Sequence, residues 1–216
     1  MAKLKLYYSP GACSLASHMA LEEAGADYEP VRINFGEAQQ RSPDYLKINP
    51  KGRVPALVDG DRIVTENPAI LRYVARLHPA AKLWPEDAGD EARATEWMAW
   101  ISSTVHPSYA HIRRPERYAT ADAAKQDVAE TAKRASRDIW EQVEKKLAGA
   151  SGPWGAGANF SVAVHYILVF WTWGRGPTLG YDMARDFPAW TAHARRMAER
   201  PAVKTVFARE GLDLPA

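Results

Sequence analysis

The sequence contains a single cysteine, Cys13, among 216 residues. These residues therefore cannot form an intramolecular disulfide. A Cys-x-x-Cys redox site is also excluded, because Ala16 occupies the position three residues after Cys13. Nothing in the cysteine usage requires an oxidising compartment. Any thiol–disulfide chemistry at Cys13 needs a second thiol from another molecule.

Long apolar stretches are also missing. The longest, "FSVAVHYILVFWTW" at 160–173, contains His165 and is shorter than the roughly 18 residues that indicate a membrane span. The first residues, "MAKLKLYYSPG", lack the apolar segment of about 7–15 residues that signal peptides contain. We therefore predict a cytoplasmic protein with no membrane partner, and we interpret residues 160–173 as a buried core helix.

Neither sign of charge is in large excess, since 28 basic residues stand against 26 acidic ones and give a net charge of +2. This balance offers no electrostatic basis for nucleic-acid binding. The one short basic run, "HIRRPERY" at 111–118, is interpreted as a solvated loop.

None of the six histidines has the spacing of a helical zinc pair, and His106 and His111 are five positions apart. We predict no metal site.

The first 80 residues alternate between strand and helix patterns. Strands are predicted at 3–9, 28–34, 56–58 and 62–65, and helices at 14–24 and 67–77. Asp59-Gly60-Asp61 is typical of a hairpin turn. From residue 89 onwards the pattern is helical throughout, with predicted helices near 89–112, 121–148, 161–174, 187–199 and 201–210. We predict a small α/β domain (1–81), a linker (82–88) and an all-α helical domain (89–216).

Cys13 follows the turn residues Ser9-Pro10-Gly11 and lies where the first helix is expected to begin. A thiol is nucleophilic as the thiolate, which is only a few per cent of the total near pH 7. The unpaired N–H groups and the dipole of a helix N-terminus favour an anion and could lower the pKa of this thiol. A reactive thiol is one interpretation, and a small buried apolar residue is the other.

Two further segments have features of a binding site. In "NPKGRVPALV" (49–58), Pro55 directly precedes a strand, and a cis peptide bond there would expose the backbone of Val54 to an extended ligand. The alternative is an ordinary loop with a trans proline. In "TENPAI" (65–70), Glu66 and Asn67 stand between a strand and a helix. Free N–H groups there attract a carboxylate, and Glu66 can accept from an ammonium group. Alternatively, Asn67 only caps the helix, with Pro68 at its first position.

Taken together and in this order, these three motifs resemble those of the glutathione transferase family, and the similarity extends along essentially the whole chain. The resemblance implies a thioredoxin-like N-terminal domain followed by an all-helical C-terminal domain. "YYSPGACSLASH" (7–18) looks like the first strand, loop and helix of the bacterial beta class, whose active-site cysteine would be Cys13. "WISSTVHPSY" (100–109) is similar to a helical segment of that class, whose histidine would be His106, and it supplies Ser103 as a further glutathione-binding candidate.

The resemblance implies an enzyme that binds reduced glutathione as a co-substrate, without a tightly bound cofactor. It would transfer glutathione to a small apolar electrophile, or use it to reduce a disulfide or peroxide. Val54, Pro55, Glu66 and Asn67 would hold the peptide, while Cys13 and His106 would act on its thiolate. Ser9 is the rival to Cys13, because a hydroxyl can also donate to a thiolate. A homodimer is implied as well. The alternative function is a non-catalytic binding protein of the same fold.

The sequence departs from the family pattern at several of these positions. Asn67 stands where serine is usual, and Ala99 where an asparagine is usual. Pro107 stands where the beta class often has lysine, and a proline disfavours helical backbone angles at the preceding His106. Segment 36–41 lacks the lysine often found for the glycyl carboxylate, which leaves Gln39 or Arg41 as alternatives. An apolar pocket for the second substrate is predicted to involve Tyr109, Ile112 or Trp173.

Overall fold

The computed structural model describes residues 3–157 and 159–216. Its first part contains a four-stranded sheet in the order β2-β1-β3-β4, formed by β1 (Leu4–Tyr8), β2 (Tyr28–Arg32), β3 (Ala56–Asp59) and β4 (Arg62–Thr65). β1 pairs in parallel with β2 and antiparallel with β3, and β3 pairs antiparallel with β4. The hairpin between β3 and β4 turns at Gly60, whose φ of 58° suits glycine. The predicted strands and the predicted hairpin turn at residues 59–61 are confirmed.

Three helices pack around this sheet: α1 (Leu15–Glu23), α2 (Pro43–Ile48) and α3 (Asn67–Leu77). In β1 the side chains of Leu4, Leu6 and Tyr8 are buried and alternate with more exposed ones, which fits a sheet with one covered face. In α1 every residue from 15 to 21 is buried, because the helix lies among β1, α3 and two helices of the second part of the chain. The N-terminal unit is therefore packed against the helical unit along α1.

After α3, the described chain consists of helices joined by turns and loops. The helices are α4 (Ala88–Trp100), α5 (His106–Arg113), α6 (Asp122–Ala148), α7 (Ala163–Arg175), α8 (Met183–Asp186), α9 (Pro188–Ala198) and α10 (Pro201–Glu210). The predicted long helices are confirmed, and only the four-residue α8 lacked a signal in the sequence. The mixed sheet followed by these helices is the thioredoxin-like and all-helical fold that the sequence predicts.

α7 forms the centre of the helical unit. Its residues from 163 to 171 are all buried, and it packs against α1, α4 and α9. The interpretation of the apolar stretch as a core helix is confirmed. Within residues 3–157 and 159–216, no helix is long and apolar enough to cross a membrane.

α4 and α5 are joined without a break by a π-helical segment, Ile101–Val105. His106 has helical angles (φ −65°, ψ −47°), and its N–H bonds to the carbonyl of Ile101, five residues earlier. The expectation that Pro107 would move His106 out of helical angles is therefore wrong. The wider π turn admits the proline ring while the helix continues, as π segments in helices commonly do near functional sites.

Candidate active site

A cavity of about 720 Å³ lies between the sheet and the helical unit. It is lined by the loop after β1, the turn before β3, the start of α3, one side of α5 and the end of α7. The structure brings together in this cavity six of the residues that the sequence singled out: Cys13, Val54, Pro55, Glu66, Asn67 and His106. Positions far apart in the sequence therefore form one site.

Cys13 lies in the wall of this cavity, and its Sγ is 3.4 Å from the carbonyl oxygen of Val54. α1 begins at Leu15 with Ser14 as its N-cap, so Cys13 precedes the helix instead of beginning it. Burial raises the pKa of the Cys13 thiol to about 12, and the negative charge of Glu66 acts in the same direction. The backbone N–H groups of Cys13 and Ser14 lower this pKa, as expected at a helix start, but desolvation outweighs them, so the expectation of a lowered pKa is wrong. Cys13 is a neutral thiol near pH 7.

The loop that carries Cys13 is held from both parts of the chain. Gly11, which has a φ of 68°, donates its N–H to Glu210 Oε2 at 2.9 Å. The carbonyl of Gly11 accepts from Trp173 Nε1 at 2.8 Å. The carbonyl of Cys13 accepts from Asn67 Nδ2 at 2.8 Å. The position of the sulfur thus depends on side chains from α3, α7 and α10, which no local sequence motif revealed.

The peptide bond between Val54 and Pro55 is cis, as predicted. Among the described residues, none accepts a hydrogen bond from the backbone N–H of Val54. Among the same described residues, the Val54 carbonyl accepts a hydrogen bond only from the thiol of Cys13. The backbone of Val54 therefore has hydrogen-bonding capacity for an extended ligand in the cavity.

Glu66 is the N-cap of α3, with Asn67 as the first helical residue, so the prediction of Asn67 as the N-cap is wrong by one position. Glu66 has a φ of 74°, a conformation that is rare for non-glycine residues and that commonly occurs at functional sites. Its exposed carboxylate pairs with Lys51 Nζ at 2.5 Å. A ligand ammonium would therefore share this carboxylate with Lys51.

The side chain of Asn67 is buried and bonded within the protein. Its Nδ2 donates to Cys13, and its Oδ1 accepts from Ser17 Oγ at 2.6 Å. The amide connects α3 to the Cys13 loop and to α1. This arrangement leaves the backbone N–H of Asn67, at the N-terminus of α3, as the group that can meet an anion.

His106 lines the cavity, and its Nδ1 lies 3.4 Å from the hydroxyl of Tyr166. Burial lowers the pKa of His106 to about 4, and the positive charges of Arg53 and Arg117 act in the same direction, against Glu66. The imidazole is therefore neutral at pH 7. Tyr166 also lines the cavity and was missed by the sequence analysis. Its signal was a phenol hydroxyl in a helix that the sequence placed in the core.

Ser9 and Ser103 lie outside the group of residues that line this cavity. Ser9 is buried, and its N–H donates to Ser14 Oγ at 3.2 Å. Ser103 is exposed, and its Oγ lies 3.4 Å from Thr104 Oγ1. The neighbouring Ser102 faces the cavity instead. The rotation of the helix about its axis decides which of these adjacent serines lines the cavity. The sequence does not predict that rotation to within one residue.

Residues 113 and 116–118 are exposed, in agreement with the prediction of a solvated segment at 111–118, but the interpretation of this segment as a loop is wrong. The segment contains the end of α5 and a 3-10 turn, Pro115–Arg117, and three of its arginines line the cavity: Arg113, Arg114 and Arg117. Arg53 lines it from the turn before β3. Among the described residues that line the cavity, Glu66 is the only acidic one. The cavity is therefore strongly electropositive on the side of α5.

Other lining residues test the remaining expectations. Tyr109 and Trp173 line the cavity, with ring centroids 4.4 Å apart, whereas Ile112 does not. Gln40 lines it in place of the expected Gln39 or Arg41. Within residues 3–157 and 159–216, no group of three or more His, Cys, Asp or Glu side chains is arranged to hold a metal ion.

The sheet, the cis-proline turn and the cysteine-bearing loop define a thioredoxin-like unit, and its ligand cleft is closed on the other side by helices. Residues 2–76 match the family described as glutathione S-transferase, N-terminal domain. The chain is 33% identical to glutathione S-transferase GstA of Escherichia coli O157:H7, over 97% of this chain and all of that protein. The chain therefore belongs to the glutathione S-transferase family.

Solved structures agree with this assignment. A glutathione transferase homologue from a Sulfitobacter, solved with bound glutathione, has a TM-score of 0.90 and 38% identity, covering 97% of this chain and 99% of that one. The bacterial beta-class glutathione S-transferase of Sphingomonas chungbukensis has a TM-score of 0.79 and 35% identity, covering 97% of this chain and all of that one.

Proposed function

We propose that this protein is a glutathione transferase that binds reduced glutathione in the cavity and joins it, through its sulfur, to an electrophile. The observation that carries the proposal is the meeting of three groups in one cleft: the unpaired N–H of Val54, the carboxylate of Glu66 at the start of α3, and the sulfur of Cys13. Each group matches one part of glutathione. The Val54 N–H matches its extended backbone, the Glu66 carboxylate its α-amino acid end, and the Cys13 sulfur its thiol. The glutathione bound to the Sulfitobacter homologue supports this ligand.

In the proposed complex, the cysteinyl backbone of glutathione pairs with the N–H and C=O of Val54. The γ-glutamyl ammonium binds Glu66, and the γ-glutamyl carboxylate meets the N-terminus of α3 at the N–H of Asn67. The glycyl carboxylate lies towards Arg53 and Gln40, which line the same side of the cleft as Val54. This orientation directs the ligand thiol towards Cys13.

The raised pKa of Cys13 supports a role as a hydrogen-bond donor instead of a nucleophile. Its S–H would turn from the carbonyl of Val54 to the glutathione sulfur and favour the thiolate form of the ligand. The neutral imidazole of His106 and the hydroxyl of Tyr166 also line the cleft around the ligand sulfur. The positive charge of Arg53 favours the thiolate form of that sulfur. The ligand's thiol proton is released to solvent. The thiolate then forms a bond to the electrophilic atom, and the leaving group departs with the electrons of the broken bond.

The raised pKa of Cys13 and the position of Ser9 argue against two alternatives, disulfide exchange at Cys13 and activation of glutathione by Ser9. A thiol with a raised pKa is a poor attacking group for disulfide exchange, because attack requires the thiolate. Ser9 is buried outside the lining of the cleft and is a weaker candidate than Cys13 for contact with the glutathione sulfur. We therefore propose conjugation as the main reaction and Cys13 as the residue that contacts the ligand sulfur.

Steady-state conjugation of glutathione to a neutral aryl chloride tests the proposal. A hydrogen bond to a charged group contributes about 1.5–3 kcal/mol, so Cys13→Ala should lower kcat/KM by roughly 10-fold or more. Cys13→Ser retains a donor and should keep most of the activity, and Ser9→Ala should be unchanged. Binding of glutathione without turnover of any electrophile would indicate the non-catalytic function instead.

The homodimer and the cytoplasmic location remain predictions. Light scattering on the purified chain and fractionation of cells that produce it would test them directly.

A further inference from the structure

The cleft contains more positive charge than the proposed complex uses. Glutathione carries two carboxylates, and the proposed complex assigns them to the N-terminus of α3 and to Arg53 with Gln40. Arg113, Arg114 and Arg117 also line the cavity. Within residues 3–157 and 159–216, no carboxylate lies within 4.0 Å of these three guanidinium groups. Three cations thus face the cleft without a partner from the described chain.

The arrangement of α5 links these cations to the apolar part of the cleft. Tyr109 and Ala110 line the cavity, and Arg113 and Arg114 follow them four residues later. Residues four apart lie on the same side of a helix, about one turn further along. One face of α5 therefore carries an apolar surface, continued by the ring of Trp173, and then the guanidinium group of Arg113, while Arg114 follows directly after the end of the helix.

Arg117 extends this cationic surface towards the opposite wall. Burial lowers the pKa of Arg117, and the positive charges of Arg53 and Arg114 act in the same direction. The cluster therefore includes like charges from the turn before β3 and from the end of α5. Their mutual repulsion is relieved when an anion binds among them.

We infer that the second substrate carries an anionic group, a carboxylate or a sulfonate, beside an apolar electrophilic body, and that Arg113, Arg114 and Arg117 bind the anion while Tyr109 and Trp173 contact the apolar body. The inference rests on the proposed function, because it names the class of electrophile for the same cleft. It replaces the expectation of a purely apolar electrophile.

A matched pair of substrates tests this inference. We would measure kcat/KM for 4-chloro-3,5-dinitrobenzoate and for its neutral methyl ester at saturating glutathione, and divide each value by the rate of the uncatalysed reaction. In both reactions the thiolate displaces chloride from the same ring carbon. The acid-to-ester ratio then reports recognition of the negative charge.

The variants are the triple substitution Arg113→Gln, Arg114→Gln, Arg117→Gln and, as a control, Arg76→Gln. Arg76 is an exposed arginine on α3 that does not line the cavity. Each exposed ion pair strengthens binding by a factor of about 1.4 to 5. Because three arginines are removed together, the triple variant should lower the acid-to-ester ratio by about 10-fold. The control should leave the ratio within about 2-fold, because a surface substitution away from the site has little effect. Circular dichroism would verify that each variant is folded.

An unchanged ratio in the triple variant, with ester turnover intact, would overturn the inference and leave the proposed function standing. A rise in KM for glutathione without a change in the ratio would also overturn it, since the arginines would then bind glutathione itself. If neither substrate reacts, the proposed function fails instead. Quenching of tryptophan fluorescence by 3,5-dinitrobenzoate and its methyl ester then decides the inference, because only the acid should bind more weakly to the triple variant.

Discussion

Replacing Glu210 with glutamine should destabilise the protein and displace the loop that carries Cys13. The Glu210 carboxylate lies 2.6 Å from His18 Nδ1, and both side chains are fully buried. Its other oxygen accepts from the N–H of Gly11 at 2.9 Å. One carboxylate from α10 therefore supports both α1 and the turn two residues before Cys13.

The geometry sets the size of the effect. A glutamine amide can face Gly11 with its NH2 group, which places two donors together. The NH2 group can instead face His18 Nδ1, and Nδ1 must then accept, so the imidazole proton has to be on Nε2. That nitrogen lies 3.3 Å from Arg209 Nη1, so two donors again meet. Either orientation loses one hydrogen bond. Because a hydrogen bond to a charged group contributes about 1.5–3 kcal/mol, we expect Glu210→Gln to lower the free energy of unfolding by about 2 kcal/mol.

Urea unfolding followed by tryptophan fluorescence measures this change as a lower midpoint at an unchanged slope. Glu199→Gln, an exposed position at the end of α9, is the control and should change stability by less than about 0.5 kcal/mol. The rate of glutathione conjugation should fall in Glu210→Gln and not in the control. If Glu210→Gln were as stable and as active as the unmodified protein, the reasoning about this buried carboxylate would be refuted.

Three further predictions concern the cleft and the core. The rate of Cys13 alkylation by iodoacetamide, followed by intact mass, should keep rising up to about pH 12, and a plateau below pH 9 would contradict the raised pKa. Burial lowers the pKa of His193 to about 3, so the unfolded chain binds a proton more readily below pH 6.5. His193 alone should therefore lower the free energy of unfolding by about 1 kcal/mol per pH unit from pH 6.5 towards pH 4, and His193→Gln should show a correspondingly shallower fall in urea titrations. Lys51→Gln removes the competitor for Glu66 and should lower the glutathione Kd by about 1.4- to 5-fold in calorimetry; a higher Kd would show that Lys51 binds the ligand instead.

The features that the sequence predicted well have local signals. The hairpin between β3 and β4 depends on Asp59-Gly60-Asp61, and the long helices depend on apolar spacing that persists over several turns. The cysteine-bearing loop, the cis-proline turn and the start of α3 were also recognisable as motifs. Each lies at a strand end, where a short stretch of sequence fixes the local backbone.

The features that the sequence did not predict arise from tertiary contacts. The pKa of Cys13 is set mainly by burial, which outweighs the backbone N–H groups at the local helix end. The hydrogen bonds of Gly11 to Glu210 and Trp173 span most of the chain and have no sequence signature. Tyr166 and the arginines of 111–118 reached the site only because α7 and α5 turn those residues towards it.

The central claim, that glutathione binds with its γ-glutamyl end at Glu66 and its cysteinyl backbone at Val54, is tested most directly by calorimetry. Reduced glutathione and N-acetyl-cysteinylglycine, which lacks the γ-glutamyl group, would each be titrated into the unmodified protein and into Glu66→Gln. We predict that the substitution weakens binding of glutathione by about 1.4- to 5-fold, the contribution of an exposed ion pair, and leaves the affinity for the truncated peptide unchanged. Equal affinities of both proteins for glutathione, or no binding of glutathione to the unmodified protein, would contradict the account.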